Sequence, residues 1–261
     1  MITFDYNRCV GCGSCVRLCP MGYLKLEEKR PVVRERRRCI ECGHCTAACP
    51  KQAVTLTSEK AELVLPRAEN ELEELILSRR SIRHFQAKVP PRELIQRALD
   101  LAEYAPSGKN AHQHRWTVLY GLEETEKVTE MALDFSRRTG EAKELIKIKE
   151  AGTNLLTCDA PCVILAWSPD DALNPVADPA LALTIVEMQL NKAGLGTCWG
   201  GYLGQIARAD RELSAYLGIP EGANLRCALM VGYAKGEKYP NPVWRPKTEA
   251  LWLEDCAWNG R

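Results

Sequence analysis

The chain has 261 residues, of which 46% are hydrophobic and 26% are charged. These proportions are ordinary for a globular protein with a core, and they exclude wholesale disorder. The 35 basic and 34 acidic side chains leave a net charge of +1, which argues against a nucleic-acid partner or an anionic membrane surface. No apolar run approaches the roughly 18 residues of a membrane span, and no charged start leads into an apolar run. We therefore expect a cytoplasmic chain with no secretory signal and no membrane partner.

Cysteine is the unusual component, because eight of the 13 cysteines lie between Cys9 and Cys49. They form two copies of the pattern C-x2-C-x2-C-x3-C-P, 30 residues apart. Each copy is followed by a short strand-like stretch, residues 23–26 and 53–56. In a reducing compartment, cysteines at this density indicate metal or redox chemistry rather than disulfides.

The spacing is that of bacterial two-cluster ferredoxins, in which the fourth cysteine of each run ligates the other cluster. We therefore predict two [4Fe–4S] clusters. The first is held by Cys9, Cys12, Cys15 and Cys49, and the second by Cys39, Cys42, Cys45 and Cys19. Zinc is the alternative, but zinc sites are usually built from paired C-x2-C knuckles rather than from runs that end in Cys-Pro. Arginines between the two runs (Arg34, Arg36, Arg37 and Arg38) either balance the anionic clusters or form a docking patch for an acidic electron donor.

The composition changes after the repeat, which predicts a ferredoxin domain over 1–57, a linker over 58–69 and a second domain over 70–261. Within the second domain, helices are expected at 70–78, after Pro90-Pro91, at 123–135, 141–156, 178–193 and 203–217. Strands are expected at 116–120, 162–167 and 228–233. Strands separated by helices favour a three-layer α/β/α arrangement, so the whole chain is expected to be of the α+β class.

Three polar or glycine-rich segments of the second domain indicate a cofactor site. The first, residues 79–85, reads Arg-Arg-Ser-Ile-Arg-His-Phe and offers guanidinium groups and a hydroxyl to a phosphate. By itself it is a weak signal, because an arginine-rich helix end is usually a surface segment that compensates the helix dipole. The second is the loop Ala-Pro-Ser-Gly-Lys-Asn at 105–110. The third, Gly-Leu-Gly-Thr-Cys-Trp-Gly-Gly at 194–201, lets backbone lie close to a flat ring.

Together with Trp-Arg-Pro at 244–246, these segments resemble the nitroreductase family of FMN flavoproteins over residues 70–261. The whole chain resembles a fusion of a two-cluster ferredoxin with a nitroreductase. The resemblance implies a homodimer with FMN at the interface, a loop that reaches FMN from the neighbouring subunit, and a C-terminal arm that crosses to the partner. The FMN-binding set is expected to comprise Arg79, Arg80, Ser81, Arg83, Pro106, Ser107, Asn110, Cys198, Trp199, Gly200, Gly201 and Arg245.

Within that set, the resemblance assigns Arg79, Ser81 and Arg83 to the FMN phosphate and pyrimidine edge, and Arg245 to the phosphate. The tail from Tyr239 onward suits an arm, since Tyr239, Trp244, Trp252 and Trp258 need a surface to cover. This chain departs from the family at His112 and His114, which are weak candidates for proton donors above the ring. The alternative is that both histidines are packing or surface residues. Cys198 as a reactive thiol is disfavoured.

The combination predicts an FMN-dependent oxidoreductase. Two clusters pass single electrons to FMN, which reduces an organic acceptor such as a nitroaromatic, a quinone or an activated alkene. The expected donor is an external ferredoxin or another low-potential protein, with NAD(P)H as an alternative. Two other functions stay open: an electron-transfer module that serves a protein partner without small-molecule turnover, and a flavin-modifying activity.

Overall fold

The structure is a computed structural model that describes residues 1–59 and 61–253. Its internal contacts divide it into two compact units. The first unit contains Met1–Leu77 together with the chain from Glu237 onward, and the second contains Ser78–Gly236. The C-terminal segment thus belongs to the unit that carries the cysteine repeat, whereas the sequence predicted it as part of the second domain.

In chain order, the elements up to residue 78 come first. They are β1 (Ile2–Phe4), α1 (Ser14–Arg17), β2 (Leu24–Glu27), β3 (Arg30–Val33), α2 (His44–Ala47), β4 (Val54–Leu56), β5 (Leu63–Val64) and α3 (Glu71–Ser78). The remaining elements are α4 (Arg92–Ala102), β6 (Arg115–Tyr120), α5 (Leu122–Thr139), α6 (Lys143–Glu150), β7 (Cys162–Pro169), α7 (Ala177–Lys192), β8 (Gly196–Trp199), α8 (Gly201–Ala209), α9 (Arg211–Tyr216), β9 (Ala223–Gly232) and β10 (Arg245–Pro246). A short 3-10 turn covers Gly108–Asn110.

The first unit is built around the cysteine repeat. In each copy, a glycine with a left-handed φ (Gly13 or Gly43) turns the chain into a one-turn helix, α1 or α2. A side chain would be strained in that conformation, which is why glycine is needed there. β1 pairs antiparallel with β4, and β2 pairs antiparallel with β3. The unit's small core contains buried cysteines together with Leu24, Ala53 and Val54.

A third strand pair joins two segments that are distant in sequence. β5 lies in the predicted linker and pairs antiparallel with β10 of the C-terminal segment, with Val64 opposite Arg245. A main-chain bond from Lys247 N to the carbonyl of Glu62 extends this pair. Part of the region predicted as a linker, Leu63–Val64, is therefore a strand whose partner lies about 180 residues further along the chain.

The second unit contains a four-stranded antiparallel sheet with strand order β6-β7-β9-β8. Cys162, Ile164 and Ala166 of β7 pack in one core with apolar residues of α4 and α7. Val163 and Leu165 alternate to the opposite face, where α5 packs against β6 and β7 and α8 packs against β9. Helices thus cover both faces of the sheet, which confirms the predicted three-layer arrangement.

One predicted helix is divided in two. The expected helix over 203–217 consists of α8 and α9, because Asp210 between them has an extended backbone. Its carboxylate accepts a hydrogen bond from Glu212 N at 3.0 Å and so begins α9 as an N-cap. The predicted helix over 141–156 is shorter than expected and ends at Glu150.

None of the helices formed by the described residues combines the length and the apolar character that a membrane crossing needs.

Candidate functional site

Four cysteines from both runs surround a small cavity in the first unit. Its lining includes Cys9, Cys12, Cys15 and, from the end of the second run, Cys49. Pro31 and Val54 give the cavity an apolar side. This set of four is the one that the spacing predicts for the first cluster.

The other four cysteines of the repeat surround a second small cavity. Its lining includes Cys39, Cys42 and Cys45 of the second run together with Cys19 of the first. Ile2, Tyr23 and Leu56 close it on the apolar side. Each cavity therefore offers four thiols and an apolar wall, a donor set that suits an iron–sulfur cluster.

The thiols in each set lie close enough to affect one another's ionisation. Burial raises the pKa of Cys15 to about 11, and the nearby Cys49, Cys12 and Cys9 add to the effect. Burial, followed by the charges of Cys42, Cys39 and Cys19, raises the pKa of Cys45 to about 12. Thiolates packed this closely need compensating positive charge, which iron ions supply.

In the second unit, the arginine-rich segment runs beside β8. Ser81 forms a parallel bridge with Thr197, and Ile82 N donates to the carbonyl of Thr197 at 2.8 Å. A Cβ at Gly196 would lie 2.9 Å from Cβ of Ile82, so the close approach of the segment to β8 requires glycine. The structure therefore brings Arg79, Ser81 and Arg83 together with the Gly-rich segment at 196–201.

Glu187 of α7 connects these groups, and it is absent from the set of residues predicted from the sequence. Its carboxylate is buried and lies 3.3 Å from Arg79 Nη1. It also accepts hydrogen bonds from Thr197 Oγ1 and Trp199 Nε1, both at 2.9 Å. A buried carboxylate with three donors is fully compensated, and it fixes the guanidinium and the indole relative to each other. Its only sequence signal is that it follows a mainly apolar stretch of the same helix, residues 179–186.

The backbone at the end of β8 leaves room for a flat ligand. Gly200 N donates to the carbonyl of Ala228, and a Cβ on Gly200 would lie 3.0 Å from Met230 Cε. Gly201 has no heavy atom within 4 Å of the position that a Cβ would take. Bare backbone therefore faces open space where α8 begins, as the approach of a planar ring requires. Cys198 is buried.

The loop with Pro106, Ser107 and Asn110 forms a second group. Ser107 Oγ accepts from His112 N at 3.2 Å, and Gly108 N donates to Asp178 Oδ2 at 3.1 Å. Lys109, Asn110 and His112 all have positive φ values, a conformation that side chains adopt only when their surroundings enforce it. Such strain is common in functional loops.

The two candidate histidines differ in their surroundings. The His114 ring is buried, stands edge-on to Trp116 with a centroid distance of 5.1 Å, and has Nε2 3.3 Å from Glu103 Oε1. Burial lowers the pKa of His114 more than Glu103 raises it. His112 is only half-buried, and its Nε2 lies 2.9 Å from Asn110 Oδ1 in the strained loop. His112 is therefore the more accessible of the two.

Arg245 and three preceding residues, Tyr239, Asn241 and Val243, contact the cysteine repeat of the same chain. The Arg245 guanidinium donates to the carbonyl of Cys42 at 3.0 Å. Its assignment to the FMN phosphate, which came from the resemblance, stays a prediction, as does the crossing of the tail to a partner. Of the predicted arm anchors, Trp258 lies outside the described residues.

These features define a class of protein: a unit with two four-cysteine cavities, joined in one chain to a three-layer unit in which an arginine-rich segment runs beside a glycine-rich strand. Comparison with known families agrees. Residues 76–233, more than half of the chain, match the Nitroreductase family, and residues 1–50 match the 4Fe-4S dicluster domain. The chain belongs to the nitroreductase family. The predicted resemblance, the oxidoreductase class and the predicted cofactor types agree with these two matches.

Solved structures show the same fold. A nitroreductase with bound FMN from Bacteroides fragilis NCTC 9343 is 21% identical, has a TM-score of 0.58, and aligns over 72% of this chain and 98% of its own. A nitroreductase with bound FMN from Desulfitobacterium hafniense DCB-2 is 24% identical, with a TM-score of 0.57 and coverage of 74% and 100%. A variant of an FMN and NADPH-dependent nitroreductase from Sphigopyxis sp. strain HMH is 23% identical, with a TM-score of 0.54 and the same coverage. No curated protein matches the sequence.

Proposed function

We propose that this chain is an FMN-dependent oxidoreductase that passes electrons from two [4Fe–4S] clusters to FMN and on to an organic acceptor. The observation that carries the proposal is the pair of cavities, each surrounded by four cysteines drawn from both runs, in a chain of the nitroreductase family. The clusters supply one-electron transfer, and the flavin supplies hydride or two-electron reduction. Nitroaromatics, quinones and activated alkenes are the acceptor classes proposed.

The proposed flavin site uses the residues beside β8. Arg79, Ser81 and Arg83 bind the phosphate and the pyrimidine edge, because guanidinium forks and a hydroxyl are well suited to oxyanions and ring carbonyls. Gly200 and Gly201 present backbone to the ring. The loop with Pro106, Ser107 and Asn110 comes from the neighbouring subunit, so the proposal includes a homodimer.

His112 is the proposed proton donor to the acceptor. It lies in the strained loop beside Asn110, it is partly accessible, and a positioned imidazole can serve as a general acid. His114 is instead proposed to be a packing residue, since its ring is buried against Trp116.

The proposed electron donor is an external ferredoxin or another low-potential protein in the cytoplasm. Exposed arginines between the two cysteine runs (Arg34, Arg36, Arg37 and Arg38) offer an acidic donor a basic surface. A cytoplasmic location suits a chain whose function needs many reduced thiols. NADPH is the competing donor.

The test is an anaerobic preparation of the full chain. It should contain about eight iron atoms per chain, from two cubes of four, together with one FMN. After reduction with dithionite, the flavin absorbance should recover when a nitroaromatic, a quinone or an enone is added. Iron near zero with stoichiometric zinc would contradict the cluster proposal.

The same preparation distinguishes a small-molecule reductase from an electron-transfer module that serves a protein partner. A loaded protein that none of the three acceptor classes reoxidises, but that an oxidised ferredoxin reoxidises, would be an electron-transfer module rather than a reductase. Consumption of FMN under oxygen would instead indicate flavin-modifying chemistry. Reduction by NADPH at a rate that equals reduction by reduced ferredoxin would contradict the proposed donor.

A further inference from the structure

The segment Tyr239–Arg245, here called the C-terminal latch, lies on the second cysteine run of the same unit. Arg245 Nη1 donates to the carbonyl of Cys42 at 3.0 Å. Val243 is buried, and its Cγ1 lies 2.5 Å from where a Cβ on Gly43 would stand, so only glycine fits beneath it. The ring of Tyr239 stands edge-on to His44 at 5.4 Å. The latch therefore covers the run from residue 42 to residue 44.

Asn241 fixes the latch to the end of α2. Its side-chain amide lies 2.6 Å from the carbonyl oxygen of Cys49 and 3.3 Å from those of Thr46 and Ala47. Its own main-chain N donates to the Ala47 carbonyl at 3.1 Å. The last carbonyls of a helix have no partner within it, so one residue of the tail satisfies the end of α2. The contact is specific hydrogen bonding as well as apolar packing.

The latch makes the two cysteine runs unequal. Cys12 of the first run is exposed, whereas Cys42 at the matching position is half-buried. Gly43 and His44 are buried, whereas the matching residues of the first run, at 13 and 14, are half-buried. The first run is covered on one side by the β2–β3 hairpin instead, since a Cβ on Gly11 would lie 2.7 Å from the carbonyl oxygen of Lys29.

Burial and the charge of Arg245 shift the reduction potential of a cluster in opposite directions. A reduced cluster carries one more negative charge, so burial alone makes reduction harder. A guanidinium beside the ligand backbone makes reduction easier. We infer that the C-terminal latch sets the reduction potential of the second cluster alone, and that Arg245 is its positioning and charge-compensating residue. The inference rests on the proposed pair of clusters.

The test is a redox titration of the anaerobically purified full chain, followed by EPR. Arg245→Gln should shift the midpoint of one cluster to a more negative potential and leave the other unchanged. Arg245→Lys, which keeps the charge, should stay close to the wild type. Cys19→Ser identifies the transition that belongs to the second cluster. Arg17→Gln is the matched control. It removes one charge from α1, the helix that carries Cys15 of the first run, and it should leave the midpoint of the second cluster unchanged.

The possible results separate the inference from the function on which it rests. A wild type without iron would contradict the proposed clusters themselves. Loss of about four irons from Arg245→Gln, with Arg245→Lys fully loaded, would show that Arg245 retains the second cluster rather than tunes its potential, and would overturn the inference. Equal shifts in both clusters, or no shift, would overturn it. Loss of FMN from Arg245→Gln with both midpoints unchanged would likewise overturn it and assign Arg245 to the flavin phosphate.

Discussion

Glu187 and Arg79 face each other across 3.3 Å, from Oε1 to Nη1, and the glutamate is almost fully buried. The same carboxylate holds Thr197 and Trp199 of β8. One residue of α7 thus orients the arginine proposed for the FMN phosphate and the strand proposed to lie along the flavin. Glu187 is therefore expected to influence FMN binding through these neighbours, as a positioning residue.

Glu187→Gln should weaken FMN binding and lower the thermal stability. The amide keeps the volume but places an NH2 group against a donor, so one buried donor loses its acceptor at a cost of about 1–3 kcal/mol. Thermal unfolding and the FMN content of the purified protein measure both effects. Glu221→Gln is the matched control, because its carboxylate is exposed and forms an ion pair with the exposed Arg211. Unchanged FMN content in Glu187→Gln would contradict the positioning role.

Arg79→Ala should reduce FMN affinity strongly. Loss of one charge-assisted contact to a phosphate costs on the order of 1.5–3 kcal/mol, or roughly 10- to 150-fold in Kd. Titration of the apoprotein with FMN, followed by fluorescence quenching, gives the Kd. Arg137→Ala removes a surface arginine of α5 and should leave the Kd unchanged. If Arg79→Ala keeps wild-type affinity, the phosphate binds elsewhere.

Cys49→Ser should remove the first cluster although Cys49 belongs to the second run. The cavity that it lines contains Cys9, Cys12 and Cys15, so about four irons should be lost and about four retained. Cys19→Ser should remove the second cluster in the same way. Iron analysis and the EPR spectrum of the reduced protein distinguish the two. If both variants lose the same EPR signal, the crossed assignment is incorrect.

His112→Gln should slow the reoxidation of the reduced flavin by a nitroaromatic, while FMN content and iron content stay normal. Proton donation by a positioned side chain typically contributes about 10²–10⁴-fold to a rate. His114→Gln, the control, should keep the wild-type rate, and the opposite pattern would exchange the two roles.

His114 should make the protein less stable in mild acid. Burial holds the pKa of His114 below its ordinary value of 6.5, so the folded state favours the neutral ring and the unfolded state takes up the proton first. This contribution is fully present above about pH 6.5 and declines as the pH falls below it. Between pH 7.5 and 5.5, the thermal midpoint should therefore fall further in the wild type than in His114→Gln. Equal losses in the two proteins would show that His114 does not contribute.

Much of the architecture could be predicted because the signals are local. The two cysteine runs have a fixed ligand spacing, and the structure groups their eight thiols as that spacing predicts. The apolar stretch that forms β7 and the long helix α7 can both be predicted from their local composition. The break at Asp210 cannot be predicted from the hydrophobic pattern, because a capping residue inside an amphipathic stretch does not change its period.

Only the tertiary structure decided where the long-range partners lie. The fold brings Glu187 within 3.3 Å of Arg79, 108 residues away in the chain, and no local sequence pattern predicts that contact. No local pattern marks Asn241 as a residue that binds the end of α2. β5 is too short for a strand to be predicted there, and its pairing with β10 is seen only in the structure. The sequence by itself determined which side chains can hold iron and which can hold a phosphate, because that depends on residue chemistry and close spacing. The chain's folding decided that the tail covers the second cysteine run, because hydrogen bonds between distant segments leave no periodic trace in sequence.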